Sequence, residues 1–287
     1  MIKIVKLVQR SPEWHAHRMQ HRNASETPAV LGVSPWQTAY QLFLIKTGRA
    51  TSEVTPPMAH GTRLEPLARH AYEQLTGQVM EPLVLVDGDY SASLDGITLM
   101  NDLLLEIKCP FQGRDSTLWQ EVKNGKLPVH YFWQVQHQLM VSKALLAHVY
   151  VWDGRQGILL EQRPQPTAWD RIREEWDWFM QLLGRDEAPP LTSRDRLVRE
   201  DPEWQAAARD FVMLKTAADE TAQRLQEAKQ RLIDLACHTT EHGCGVSVSR
   251  FWKTGVIDYK RVPQLAGVDL EQYRAAAREE TRVTVMR

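Results

Sequence analysis

Cysteine is scarce: Cys109, Cys237 and Cys244 are the only three in 287 residues. Three thiols cannot build a disulfide framework, so a reducing cytoplasm is the expected compartment. Long apolar runs are absent too. The longest stretch, near Ala144 to Trp152, is interrupted by His148 and is far too short to span a bilayer. The start, Met1 to Val8, carries lysines but neither a long apolar core nor a cleavage site, so no signal peptide is expected. There is no charge excess: 35 basic against 36 acidic residues give a net charge of -1, which argues against a protein that coats nucleic acid nonspecifically. Basic residues can still line one groove. No internal repeat or low-complexity tract stands out.

What remains is an ordinary globular composition, 43% hydrophobic and 25% charged, in a chain long enough for one large core or two modest ones. Residues 1–50 read as helices and turns. One helix opens at Pro12-Glu13-Trp14 and runs to about Gln20, and a second starts at Ser34-Pro35-Trp36 and ends at Gly48. A loop with Pro56-Pro57 precedes helical spacing over 58–76, closed by Gly77. Strand-like runs follow at Val79–Val86, Tyr90–Asp95 and Leu103–Lys108. In the last, alternation puts Leu104, Glu106 and Lys108 on one face, Leu105 and Ile107 on the other.

Residues 128–142 read as a helix with Gln134 and Gln138 on one side, then a hairpin of His148–Asp153 and Gly157–Gln162, then a Trp-rich amphipathic helix over Thr167–Leu183. The order predicts an α/β, or mixed α+β, fold with a central mixed sheet flanked by helices over 1–185. Residues 186–287 read as a smaller appended domain. It opens with one or two long helices carrying a heptad-like seam from Trp204 to Leu235. A hairpin of Val246–Phe251 with Val256–Tyr259, a helix near Asp269–Arg278 and a short strand at Thr281–Met286 complete it.

The chemistry concentrates in Ser93-Leu94-Asp95-Gly96 and Glu106-Ile107-Lys108-Cys109-Pro110. Two carboxylates and a lysine on short extended elements can hold a divalent cation against a phosphodiester, with the Ile107 carbonyl available between Glu106 and Lys108. Lys108 can orient or deprotonate a water, or stabilise charge on the phosphate. Seen singly, Glu-x-Lys reads as a solvated ion pair and Asp-Gly as a turn.

Five blocks in order lift the reading above that. They are Trp14-His15-x-x-Arg18 with Ala24-Ser25-Glu26, His60-Gly61-x-x-x-Glu65, Ser93-Leu94-Asp95-Gly96, Glu106-Ile107-Lys108-Cys109-Pro110-Phe111, and Tyr131-x-x-Gln134-Val135-Gln136. Over roughly residues 10–185 the chain resembles the lambda-exonuclease and YqaJ-type viral recombinase family of PD-(D/E)xK nucleases. The resemblance implies a restriction-endonuclease-like core and a toroidal homotrimer that loads on duplex DNA ends. Such a ring digests the 5′-ended strand with Mg²⁺, Mn²⁺ substituting, one or two ions per site. The 3′ overhang goes to a phage single-strand annealing protein in the bacterial host's cytoplasm.

It further implies Asp95 and Glu106 as metal ligands, Lys108 as the catalytic lysine, Glu65 near a second metal directly or through water, and Gln134 at the active site. Arg18, Ser25 and Ser93 match a 5′-phosphate pocket, where a forked cation and hydroxyls suit a terminal dianion. This chain departs from the family at Leu94, in place of a proline, at His60-Gly61, in place of Trp-Gly, and at Asn23-Ala24, in place of glycines.

Several residues invite rival readings. Arg22 competes with Arg18 for phosphate, and Gln136 and Gln138 compete with Gln134. His15, His60 and His137 read as structural or exposed, and the stretch from Trp169 to Phe179 as core. Cys237, His238, His242 and Cys244 form a tight cluster of zinc-ligand types, and Arg250, Trp252, Lys253, Lys260 and Arg261 mix basic and aromatic side chains. Two other functions compete: an endonuclease of the same fold, and a catalytically inactive protein that binds DNA ends.

Overall fold

The structure, a computed structural model, describes residues 2–252 together with 262, 268 and 269. The chain divides into two compact units, Met1–Arg196 and a second beginning at Leu197. Residues 186–196 belong to the first unit. Thr38 donates its hydroxyl to Asp195, and Arg194 donates to the Ser34 carbonyl at 2.8 Å.

The first fifty residues are not helix and turn alone. Strand β1 (Lys3–Val5) precedes helix α1 (Pro12–Gln20), which Ser11 caps by accepting the Trp14 N–H. Strand β2 (Arg22–Asn23) and helix α2 (Thr27–Val30) follow. Helix α3 (Ala39–Lys46) begins later than its sequence suggests. Ser34 closes a turn by accepting from Trp36 and Gln37, and Thr38 starts the helix in a capping box with Gln41. Helix α4 (Pro56–Thr76) absorbs the two prolines expected in a loop, because the first turn of a helix needs no N–H from them. Gly77, at φ +71°, ends it.

Strands β3 (Glu81–Asp87), β4 (Tyr90–Ile97) and β5 (Leu103–Lys108) are joined by short turns. Helices α5 (Thr117–Lys123) and α6 (Val129–Ser142) cross over to β6 (Leu146–Trp152). Strand β7 (Gly157–Gln162) and helix α7 (Pro166–Arg185) close the unit. The sheet runs β1-β3-β4-β5-β6-β7, with β2 beside β4. It is mixed: β5 and β6 are parallel, as are β2 and β4, and the other pairs are antiparallel. The fold is therefore the expected α/β core, a central mixed sheet flanked by helices.

Helix α6 is the middle of the packing. Val135 and Leu139 press on Leu94, Leu104 and Val149 of the sheet. Met140 joins Phe43, Ile172, Trp176 and Phe179 beyond it, so the tryptophan-rich helix is core. Ala68 and Tyr72 of α4 cover the opposite sheet face at Leu105, Ile107 and Tyr150. Burying each large side chain contributes roughly 2–3 kcal/mol, so the strand carrying Glu106 and Lys108 is clamped from both sides.

In the second unit, α8 (Pro202–Leu235) is a single 34-residue helix, capped by Asp201. The hairpin differs from expectation: β9 (Val246–Ser249) pairs with β8 (Thr240–Gly243). Cys244 and Gly245, at φ 50° and 78°, form a tight two-residue turn whose twist suits antiparallel strands. Val256–Tyr259, the rest of the helix after Asp269 and the Thr281–Met286 strand lie outside the described residues. Among the described residues, no helix is long and apolar enough to cross a membrane.

Candidate active site

The site lies where β4 and β5 part. Gly96 pairs with Leu105 and Ile97 with Leu104, and there their ladder ends. Beyond it the Asp95 side chain takes the ladder's place, its Oδ2 accepting the Ile107 N–H at 2.7 Å. Gly96 keeps this corner tight: a Cβ there would stand 2.7 Å from that of Met80 and 3.4 Å from that of Leu105.

Glu106 is buried at 2% exposure, a position a lone carboxylate could not occupy without donors. It has three. Gln134 Nε2 donates to Oε1 at 2.6 Å, Gln138 Nε2 donates to Oε2 at 2.5 Å, and Lys108 Nζ lies 2.5 Å from Oε1. The glutamines are one turn apart on α6, so i,i+4 spacing aims both at one target. Gln138, a rival to Gln134 in the sequence, shares its partner. Gln136 faces elsewhere, bonding the Arg163 carbonyl and the Gln165 N–H. Lys108 also sits 4.9 Å from the Tyr131 ring centroid. Burial opposes the lysine's charge, but Glu106, Tyr131 and Asp95 outweigh it and hold the ammonium above its ordinary range.

Glu65 projects from α4 between two arginines, Arg10 at 2.5 Å and Arg69 at 3.0 Å. Arg69 also donates to the Asp95 carbonyl at 2.6 Å, tying α4 to the strand. Arg10 is not evident from sequence, because its contact joins distant segments, whereas Arg69 stands one turn from Glu65 on α4, an i,i+4 spacing that signals such a pair. Burial, then repulsion from Glu106 and Glu65, pushes the Asp95 carboxyl well above the usual carboxylate range. Burial, then repulsion from Asp95 and Glu65, pushes the Cys109 thiol up to about 12.

Glu106 and Glu65 raise the cost of ionising Asp95, a cost that a divalent cation would relieve. Among the described residues no group of three or more His, Cys, Asp or Glu side chains makes a ready metal cage. Mg²⁺ keeps several waters and is held by one or two carboxylates plus substrate phosphate. Asp95 and Glu106 with the Ile107 carbonyl fit that pattern. Glu65, saturated by arginines, fits a role through water.

The second cluster of expected site residues also comes together. Arg18 donates to Ser25 Oγ at 3.0 Å and pairs with Glu26 at 2.7 Å. Its guanidinium lies 4.7 Å from the Trp14 ring centroid, and Trp14 Nε1 donates to Ser93 Oγ at 2.8 Å. Trp14 thus links Arg18 to Ser93. Lys46, its side chain 4% exposed, holds Glu26 at 2.8 Å and the carbonyls of Arg18 and His21. Arg22, the rival, is committed to the Tyr90 hydroxyl at 2.7 Å and Asp177 at 2.5 Å.

Other candidates disperse. His137 is fully buried and bonded to the Thr27 hydroxyl at 2.6 Å, and His60 packs edge-on against Phe111. Cys237, His238, His242 and Cys244 form no metal-holding group. Arg250 donates to the Ala236 carbonyl at 2.8 Å, serving the end of α8. Trp252 is exposed, and Lys253, Lys260 and Arg261 lie outside the described residues.

Residues 13–144 match the YqaJ-like viral recombinase domain. The chain is 27% identical over 136 residues to the uncharacterized protein YqaJ of Bacillus subtilis strain 168, a match covering 45% of this chain and 41% of that protein. The chain therefore spans less than half of that curated relative. Among solved structures it is similar to the alkaline exonuclease LHK-Exo of Laribacter hongkongensis. The TM-score is 0.53 and the identity 26%, over 61% of this chain and 94% of that one. The LHK-Exo complex with dAMP superposes with TM-score 0.53 at 24% identity, again over 61% and 94%.

Proposed function

We propose that this chain, which carries a YqaJ-like viral recombinase domain over residues 13–144, is a Mg²⁺-dependent exonuclease. It digests the 5′-phosphorylated strand of duplex DNA ends and leaves 3′ overhangs for strand annealing in recombination. The observation that carries the reading is the buried Glu106 carboxylate, gripped by two glutamines beside Asp95 and Lys108. A fully fixed acid in a water-poor corner is costly to fold around, and its use is preorganised charge. The likeness to an alkaline exonuclease supports the same reaction class.

A divalent cation bound by Asp95 and Glu106 would polarise the scissile phosphate and lower the pKa of an attacking water. The chain's own groups do the rest. Gln134 and Gln138 fix the plane of Glu106, so its oxygens need not reorganise during turnover. Lys108, kept protonated by its neighbours, serves as a cation for the scissile phosphate and a donor that orients the water. Arg69 and Arg10 hold Glu65 facing Asp95.

Arg18, Ser25 and Ser93 receive the terminal 5′-phosphate. Ser93 accepts from Trp14, which leaves its own hydroxyl proton for the phosphate. That pocket disfavours an endonuclease, which has no terminal phosphate to bind. A homotrimeric ring and an annealing protein as partner follow from the family resemblance and belong to the same proposal.

The test uses linear duplex labelled separately at each strand end, with Mg²⁺, with and without 5′-phosphate, beside a covalently closed circle. Mononucleotides released from 5′-phosphorylated ends, with the circle intact, are the expected result. Nicking of the circle would make the protein an endonuclease. End binding without hydrolysis would make it a scaffold.

A further inference from the structure

The second unit holds a feature that hydrolysis does not use. Along α8, Trp204, Ala207, Phe211, Leu214, Ala218, Thr221, Leu225, Ala228, Leu232 and Leu235 recur at strict alternating steps of three and four. Sustained over this length, that is the seam of a coiled coil. No residue of the 34-residue helix is buried, and Trp204, Leu214, Leu225 and Leu235 are each at least half exposed. An isolated helix with such a stripe leaves apolar surface in water.

We propose that α8 pairs with α8 of a second copy of this chain, antiparallel. The alternating sizes along the seam choose the direction. In a parallel pair like meets like: Trp204 on Trp204 and Phe211 on Phe211 make bulges, while Ala207, Ala218 and Ala228 on themselves make gaps. Run antiparallel, the layers become Trp204 with Leu235, Ala207 with Leu232, Phe211 with Ala228, Leu214 with Leu225, and Ala218 with Thr221. Trp204 and Phe211 then each meet a smaller residue and Ala207 and Ala228 a larger one, Leu214 meets Leu225, and only the central Ala218–Thr221 layers stay small, which comes closer to even packing.

Charge makes the same choice independently. With Trp204 at heptad position a, the g positions are Glu203, Asp210, Ala217, Arg224 and Arg231, and the e positions Ala208, Lys215, Ala222, Lys229 and Ala236. Parallel pairing matches g to the following e of the partner. Asp210 then meets Lys215, but Arg224 meets Lys229, twice over by symmetry. Antiparallel pairing in the register of those layers brings Asp210 against Arg231, also twice, and places no like charges opposite. At the g positions, Glu203 and Asp210 near one end and Arg224 and Arg231 near the other make the seam's flank complementary to its own reverse.

The experiment measures the mass of the full-length protein by sedimentation equilibrium over a dilution series. Whatever the nuclease unit does, the wild type is expected at an even multiple of 33.1 kDa. Leu214→Glu with Leu225→Glu should halve that mass while nuclease activity on short duplexes is retained. Asp210→Arg alone sets a like charge against Arg231, twice over by symmetry, and should weaken association by on the order of tenfold. Adding Arg231→Asp should restore it. That rescue separates the two directions, because a parallel pair gives Arg231 only Ala236 to face.

A mass unchanged by the leucine substitutions would overturn the proposal and leave the seam to another part of the same chain or to a different protein. Loss without rescue by the charge-swapped pair would overturn the antiparallel arrangement.

Discussion

Lowering the pH from 7 to 5 should destabilise the first unit in a way that traces to one ring. His137 is fully buried on α6 between the sheet and α7, and burial lowers its pKa from the ordinary value to about 3. Its Nδ1 meets the Thr27 hydroxyl, which also accepts from Trp176 Nε1 at 2.9 Å, and its Nε2 has no fully formed partner. A second proton therefore has no place to go.

The sign follows from linkage. The folded pKa is depressed below the unfolded one, so the unfolded chain takes up the proton first. Stability is complete above the unfolded value of 6.5 and drains as pH falls toward 3. Between pH 7 and 5 the loss is about 2 kcal/mol, or roughly 4–8 °C in Tm. Urea unfolding of the wild type and His137→Gln at both pH values isolates it. His17, His130 and His148 are shifted the same way by burial but are present in both proteins and cancel. The variant should be weaker at pH 7 and lose about 2 kcal/mol less on acidification. Equal losses in the two proteins would refute the assignment.

Asp95→Ala or Lys108→Ala should cut hydrolysis by several powers of ten in a protein that still folds; near-normal cutting by either would move the active site elsewhere. Arg18→Ala should slow digestion from 5′-phosphorylated ends and leave 5′-hydroxyl ends unchanged, measured as initial rates on paired substrates; equal slowing on both would make Arg18 a purely structural residue. In the native protein at pH 8, iodoacetamide should label the exposed Cys237 and Cys244 within minutes, while Cys109 stays unmodified until unfolding, as mass spectrometry of peptides would read. Gly96→Ala should cost about 1–3 kcal/mol, since Met80 and Leu105 must shift to admit the methyl group.

Much of the first unit was legible because its signals are local and periodic. Helix α1 has both a cap and a proline at its start, and β5 is a short apolar run that carries Glu106 and Lys108 at its end. Elements with little burial left no such trace. β1 is three residues at a sheet edge, and α5 buries only Trp119 and Val122. The start of α3 was obscured because Ser34 and Thr38 carry the same chemistry, and only tertiary structure decides which one caps.

The site follows the same division. Asp95, Glu106 and Lys108 announce themselves through spacing along adjacent strands. The grip of Gln138 on Glu106 spans 32 residues, that of Arg10 on Glu65 spans 55, and that of Trp14 on Ser93 spans 79. Such partners are set by how α6, α4 and α1 dock, which no local pattern encodes. The seam of α8, by contrast, is readable at once, because a coiled coil is specified by periodicity alone.

Strand β4 carries one more consequence. Ser93 and Asp95 are both partly open on it, with the fully buried Leu94 between them facing the other way. Two residues along an extended strand advance about 6.7 Å, a distance fixed by covalent geometry rather than by packing. On the proposed reading, one of these residues holds the end of the DNA strand and the other stands at the bond to be cut. The backbone between them is then a ruler, and the size of the released product is built into the pitch of the chain. Substitutions that loosen the pocket should change how often the enzyme cuts, and leave the length of what it cuts off the same.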